Sequence, residues 1–462
     1  MATNATVDET LGPEHDLAIG VDVGTSGCRA VALDCNLRVV AEHSAELPRP
    51  DRSGRGSTQD PHSWWAAMCA ALGGLLRNTP ARSAAVAIAA TSATCLLCDA
   101  SGRPLTPGFM YDDARAVAQA EQIVAAGGQD SPACHPGSSL SKLLWWVSTG
   151  ATAPGARLLH QADWLTGRLV GSFEVTDYNN ALKLGFDAAA DNWPAWMEKL
   201  PLDTTLLPRV VAPGTVIGPL RPELAQNLGL PRATRIVTGT TDSVAAFLAS
   251  GASATGDAVS SFGSTIALKL LAETPVCSAP HGVYSHRLGD LWLAGGASNA
   301  GGAALSAYFT SQEMHELSAR IDPDRPTGLH FYPLPGIGER FPVADPEKRA
   351  LLHPRPAQPE LFLQAMLEGL ADIEADGYEL LARLGAGHAR RIWTSGRTGD
   401  NPVLRQLRGR RLGKLLQPES RIVPADGAAR VAALALEEKV WRLSPILATL
   451  GAAPARPGHN NK

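Results

Sequence analysis

This 462-residue chain lacks several features that would assign it a class outright. Its formal net charge is -4 with charged residues at 19%, so it has neither the basic surplus of a nucleic-acid binder nor the composition of a disordered chain. No nucleic-acid partner is expected. Nowhere does an uninterrupted apolar run reach the about 20 residues that a helix needs to cross a bilayer. No membrane partner is expected either. The seven cysteines, at 28, 35, 69, 95, 98, 134 and 277, are odd in number and scattered, unlike the framework of a small secreted domain. Cys95 and Cys98 form a CxxC inside an apolar run, without a second pair at zinc-ligand spacing, and read as packing residues. Residues 1–16 carry Asp8, Glu9, Glu14 and Asp16 but no apolar core and no basic face, which excludes a signal peptide and a typical transit peptide. They read as a disordered leader, and the protein as cytoplasmic.

What is present begins with hydrophobic residues at 45% in a chain longer than one core usually serves, so two domains with a cleft between them are expected. The organising stretch is Asp16 to Leu33. Two runs rich in Ile, Val, Leu and Ala flank Gly24-Thr25-Ser26-Gly27, which reads as a hairpin with Asp22 at its mouth. Glycines let such a turn wrap its N–H groups round an anion, the Thr and Ser hydroxyls add donors, and Asp22 can hold a divalent cation. A polyphosphate tail and its metal would suit it; a plain surface hairpin would read the same.

Further on, Asp60-Pro61 opens a helix whose Trp64, Met68, Leu72 and Leu75 recur at three- to four-residue spacing. Val86 to Ala90 reads as a buried strand ending in Thr91-Ser92-Ala93-Thr94, a hydroxyl-rich edge where Ser92 is either a polyol contact or a turn serine. Tyr111, Asp112, Asp113 and Arg115 offer charge-assisted bonds to sugar hydroxyls or an exposed ion pair. Lys142 to Trp146 looks like a buried helix, and Thr176 to Asn180 a polar cleft wall.

Two later units repeat the device. In Ile236 to Phe247 a short strand and a Gly/Thr turn lead to Asp242-Ser243 at the head of an apolar helix, where Asp242 is either a capping residue or a carboxylate kept ionised to take a hydroxyl proton. Ala258 to Leu270 is again strand, turn and strand, with Gly263-Ser264-Thr265 as a second phosphate cradle. Gly295 to Gly302 offers another close backbone approach.

Asp22-Val23-Gly24-Thr25-Ser26, Gln59-Asp60-Pro61 with Trp64-Trp65, Lys142-Leu143-Leu144-Trp145, Thr240-Thr241-Asp242 and Ser261-Phe262-Gly263-Ser264-Thr265, in that order, resemble the FGGY family of carbohydrate kinases. The likeness runs from about Leu17 onward and is greatest to its D-ribulose kinase group, at Met110-Tyr111-Asp112, Gly239 to Ser243 and Ser264-Thr265-Ile266. The resemblance implies an α/β, actin-like (ribonuclease-H-like) two-domain fold with ATP, Mg2+ and sugar meeting in the cleft. It makes Asp242 the base and Asp22 the acid that assists the metal, both near the cation. It gives the nucleotide Thr25, Gly263, Ser264, Thr265, Gly302, Gly396 and Asn401, and the sugar Asp22, Ser26, Gly27, Ser92, Asp242 and Ser243. The expected reaction is ATP-dependent phosphorylation of a terminal hydroxyl of a ketopentose, D-ribulose first and another sugar or polyol such as xylulose second, by a monomer or homodimer.

Thr91 to Cys95 has neither the Arg-Glu pair that looks typical of glycerol kinases nor the Gly-Gln-Met-His-Gly of xylulokinases. Two departures touch the nucleotide side. Gly396-Arg397-Thr398-Gly399-Asp400-Asn401 stands where the family shows three glycines and Ala-Lys-Asn, and Val423, with Asp426 nearby, stands where it shows an acid. They keep a catalytically weak sugar-binding or regulatory protein as an alternative, with an actin-like chaperone ATPase as a third. The domains are expected at 17–249, joined by roughly 436–450, and at 250–435, with a helix over Arg430 to Leu447 and a disordered tail at 451–462.

Overall fold

The computed structural model describes residues 15–77, 79–418 and 421–436, and it is mixed α/β with two large sheets. The first combines β1 (His15–Val23), β2 (Gly27–Leu33), β3 (Val39–Glu46), β4 (Ala81–Ala90), β5 (Val216–Pro219) and β6 (Arg235–Val237) in the order β5-β6-β4-β1-β2-β3, with β7 (Thr240–Thr241) also beside β4. The second combines β8 (Asp257–Phe262), β9 (Ile266–Ala272), β10 (Tyr284–Leu288), β11 (Leu291–Ser298) and β12 (Arg391–Ser395) in the order β10-β11-β9-β8-β12. Each sheet therefore has the same kernel, an antiparallel hairpin whose first strand pairs on its other side with a parallel strand. The helices used below are α1 (Pro61–Leu76), α2 (Ser139–Ser148), α3 (Gln161–Val170), α4 (Asp242–Ala249), α5 (Gly302–Ser306), α6 (Pro359–Leu381), α7 (Pro402–Leu412) and α8 (Pro424–Ala433).

Alternation in β1 decides its packing. Leu17, Ile19, Val21 and Val23 share one core with Trp64, Met68, Leu72 and Leu75 of α1, all buried. Asp60 caps α1, accepting from the His62 N–H at 2.9 Å, with Pro61 in the first turn. The opposite face of β1 carries Ala18 and Gly20, and α8 lies against it so closely that a Cβ on Gly20 would sit 2.0 Å from the Ala425 carbonyl oxygen. Gly427 of α8 likewise abuts the Ala245 carbonyl of α4. Small residues on both sides permit this approach, and they bring the chain back onto the first sheet by Pro424. The return expected at roughly 436–450 lies from residue 437 on, as do the rest of the helix expected to Leu447, the leader through residue 14 and the tail, outside the described residues.

The second core lies under α6, where Phe362, Met366, Leu370 and Leu381 pack on Leu268 and Leu270 of β9. A third cluster, with Val244 and Phe247 of α4, Ala425 and Ala429 of α8, Val259 of β8 and Leu271 of β9, bridges the two sheets. This two-domain, actin-like arrangement sets the head of α4 in the seam. Cys95 and Cys98 are fully buried in a short strand, as their apolar run implied. Among the described residues no helix is long and apolar enough to cross a membrane.

Candidate active site

Strand register brings the two anchor carboxylates to one place. Asp22 pairs with Ala89 of β4, and Ala89 pairs on its other side with Thr240 of β7, two residues before Asp242. One strand separates Asp22 from Thr240, whose backbones are therefore about 10 Å apart, and Asp242 follows two residues on, at the carboxyl ends of parallel strands, where open α/β sheets take their ligands. Both side chains are half-buried. Burial, then the charge of Asp242, pushes the Asp22 carboxyl up to about 7, and Arg29 on β2 opposes the shift. Asp242 is also raised, by burial, against the Ser243 N–H that donates to it at 2.7 Å and the charges of Lys183 and Lys269.

The wall beside them is polar and under-partnered. Ser92 follows β4, while Thr241, paired with Ala90, ends β7. The hydroxyls of Ser92 and Thr241, the Gln161 amide nitrogen and the Asn180 amide oxygen are buried atoms without a hydrogen-bond partner. Such orphans are costly unless a ligand completes them. Ala93 holds a left-handed backbone at φ 69, and its carbonyl accepts from the Lys142 ammonium at 2.8 Å, which also donates to the Met110 carbonyl at 2.7 Å. Lys142 is fully buried on α2, and burial lowers it to about 8. It pins two ends of the wall, a role its place in an apolar helix did not reveal.

Asp113 behaves differently from the sugar grip or exposed pair expected of it. Asp113 is buried, accepts from the Ser57 N–H at 2.8 Å and is bracketed by Arg115 at 2.7 Å, so it staples the loop internally. Asp112 pairs with Arg52 at 2.7 Å. Tyr111 stays near the site: burial, then the charge of Asp112 and, less strongly, that of Asp242, raise its phenol.

On the second sheet three glycine-bearing loops converge. The Gly263 carbonyl between β8 and β9 accepts from the Gly302 N–H at 2.9 Å and the Thr398 hydroxyl at 3.2 Å, and the Ser264 carbonyl accepts from the Ala303 N–H at 3.1 Å. A Cβ on Gly302 would lie 2.4 Å from the Thr398 hydroxyl, and Gly396, at φ 91, would collide with the Phe262 carbonyl. Gly263, Ser264, Thr265, Gly302 and Gly396 are therefore together, while Thr25, Ser26 and Gly27 stand on the first hairpin, in the other sheet. Asn401 adjoins them, but its amide caps α7 through the Val403 and Leu404 N–H groups and donates to Ser318 at 2.9 Å.

Lys183, Lys269, Tyr284 and His286 were not anticipated. Lys269 had a signal, a lone charge in the apolar strand Ile266 to Ala272. Beyond Tyr284 lies a cavity of about 400 Å³ between the domains, with Phe186, Trp196 and Trp292 in its walls; neither Asp22 nor Asp242 lines it.

Two hairpins of like build, converging glycine loops and paired carboxylates in the seam define a two-domain phosphotransferase-like cleft. Residues 17–249 match the N-terminal domain, and residues 258–436 the C-terminal domain, of the FGGY family of carbohydrate kinases, and the chain belongs to that family. It is 33% identical over 254 residues to the xylulose kinase of Streptomyces rubiginosus, an alignment that spans 52% of this chain and 51% of that protein, about half its length. To the xylulose kinase of Klebsiella pneumoniae it is 26% identical over 451 residues, covering 92% and 91%. Among solved structures, a xylulose kinase from Rhodospirillum rubrum superposes with a TM-score of 0.81 at 22% identity, covering 94% of this chain and 92% of that one, a likeness of fold.

Proposed function

We propose that this protein is an ATP-dependent sugar kinase that phosphorylates a terminal hydroxyl of a ketopentose, D-ribulose in the first place, in the cytoplasm. The observation that carries the reading is the Asp22–Asp242 pair at the strand ends, facing a wall whose buried polar atoms want partners. In this reading Ser92, Ser243, Ser26 and Gly27 contact the sugar, and Asp242 accepts the proton of the attacking hydroxyl. The hydroxyl oxygen bonds to the γ-phosphorus as the bond to the β–γ bridging oxygen breaks, and ADP leaves with that electron pair. Thr25, Gly263, Ser264, Thr265, Gly302, Gly396 and Asn401 line the nucleotide side. Positioning and charge neutralisation supply most of the catalysis in such transfers.

Two half-buried, mutually repelling carboxylates fit a divalent cation, because Mg2+ takes one or two carboxylates and completes its shell with water and phosphate oxygens. Asp22 and Asp242 would hold it, and it would supply neutralisation of the phosphate charge. Closure of the seam excludes water from the transfer.

Xylulose is the second reading, favoured by the names of the relatives above. ADP release measured across a pentulose panel tests both. Sugar-dependent turnover highest with D-ribulose supports the first reading, highest with xylulose the second, and sugar-independent hydrolysis contradicts each.

A further inference from the structure

The seam holds a group of donors that the transfer above does not use. Lys269 of β9 pairs with Gly295 of β11, and Gly295 pairs with Tyr284 of β10, so the three residues form one row across the sheet. Gly295 has no side chain, and Lys269 crosses it: a Cβ there would lie 3.1 Å from the Lys269 Cδ. The Lys269 ammonium reaches 4.9 Å from the Tyr284 ring centroid and donates to His286 Nδ1 at 3.0 Å. Lys183, from the short helical turn Leu182–Leu184 of the other domain, places its ammonium 6.0 Å from the same ring. Lys269 is 7% exposed and His286 2%.

Among the described residues neither lysine forms an ion pair with a carboxylate. With Nδ1 accepting from Lys269, the neutral His286 ring carries its proton on Nε2, a buried atom that has no partner. Buried ammonium groups are costly unless a counter-charge meets them. Asp242 is the carboxylate within electrostatic range of both lysines, whereas the charged neighbours of Asp22 are Asp242 and Arg29. Hydrogen bonds join the group to the strand that leads to Asp242: the Arg287 N–H, one residue from His286, donates to Asn179 Oδ1 at 3.1 Å, and the Asn179 amide donates to the Thr240 hydroxyl at 3.2 Å, two residues before Asp242.

We propose that Lys183, Lys269 and His286 form an oxyanion subsite, so that the kinase also accepts an acyclic five-carbon substrate whose far end carries a carboxylate or a phosphate while its near hydroxyl lies at Asp242. This rests on the sugar-site reading above.

The test is ADP release by the full-length protein with D-ribulose, D-ribonate and D-ribulose 5-phosphate, for the wild type and for Lys269→Met, Lys269→Arg and Lys183→Met, each checked for folding by circular dichroism. The expected result is turnover of at least one anionic substrate, with the ratio of its kcat/KM to that of D-ribulose falling at least tenfold in Lys269→Met and in Lys183→Met and largely restored in Lys269→Arg. Lys183 is half-buried, so Lys183→Met decides the matter should Lys269→Met not fold. D-ribonate and D-ribulose 5-phosphate separate a carboxylate from a phosphate preference. Turnover of D-ribulose alone, or equal losses on neutral and anionic substrates, overturns this inference and leaves the ketopentose reading standing. Turnover of an anion alone, lysine-dependent, supports the subsite and overturns the ketopentose reading; turnover of none overturns both.

Discussion

The two domains present the same hairpin with different chemistry at one position. In the first, Asp22 stands two residues before Gly24; in the second, Ser261 stands two residues before Gly263. Ser261 is tied to Ser395 on the parallel neighbour, hydroxyl to hydroxyl at 2.8 Å, and so closes its own strand end. Among the described residues Asp22 has no such tie, and its charge meets those of Asp242 and Arg29. In the proposed reading one hairpin is a finished cradle and the other a cradle with a reactive acid. A shared backbone unit would then set where phosphate sits, and the residue at the strand end what happens to it.

Substitutions that interchange or silence these features test the contrast. The largest effect is expected from Asp242→Asn, which removes the proton acceptor while keeping shape: kcat should fall about 100- to 10,000-fold with the fold intact, as read by steady-state ADP release beside a thermal melt. Asp22→Asn should also cut turnover, yet it should stabilise the metal-free protein above neutral pH. The sign follows from a folded pKa of about 7 against 3.8 for the ordinary carboxyl. The stability contributed by the Asp22 proton is fully present below pH 3.8 and lost as pH rises through about 7. Melts of the chelated wild type should therefore fall over that window more steeply than those of Asp22→Asn.

Lys142→Met strips the two carbonyls of the sugar wall of their donor. It should cost about 2 kcal/mol in denaturant unfolding and raise KM for sugar more than KM for ATP. The Lys142 ammonium titrates at about 8 in the fold against 10.5 ordinarily, so the wild type should gain stability between those pH values, where the unfolded chain holds the extra proton, and the variant should lack that slope. Gly396→Ala, at φ 91 against the Phe262 carbonyl, should cost about 1–2 kcal/mol and weaken ATP binding in calorimetry. Smallest of all, Ser261→Ala should lower the melting free energy by about 1 kcal/mol and leave sugar KM alone, since the finished cradle loses one hydroxyl bond.

Much of this site was legible because it is local. Gly24 to Gly27, Thr240 to Ser243 and Gly263 to Thr265 are turns bounded by apolar strands, and turn chemistry is written in consecutive residues. Thr91 to Thr94 was legible for the same reason. What escaped was assembled from distant segments. Lys183 and Lys269 come from opposite domains and meet at Tyr284, so no spacing along the chain joins them. The buried pairing of Asp113 with Arg115 and Ser57 depends on a loop folding over, and the sequence shows only that opposite charges are near. The return of the chain at Pro424 is set by small residues on α8 meeting Gly20, a fit between surfaces rather than a pattern in either. The family resemblance supplied the rest, including the roles of Asp22 and Asp242, which as isolated residues would pass for a strand end and a helix start.

A crystal structure with D-ribulose and a nonhydrolysable ATP analogue tests the central claim most directly. The account predicts a terminal hydroxyl within about 3.2 Å of the Asp242 carboxylate, with the γ-phosphate on the Asp22 side of it. A sugar seated instead in the cavity beyond Tyr284, or a γ-phosphate reached by neither acid, would contradict it.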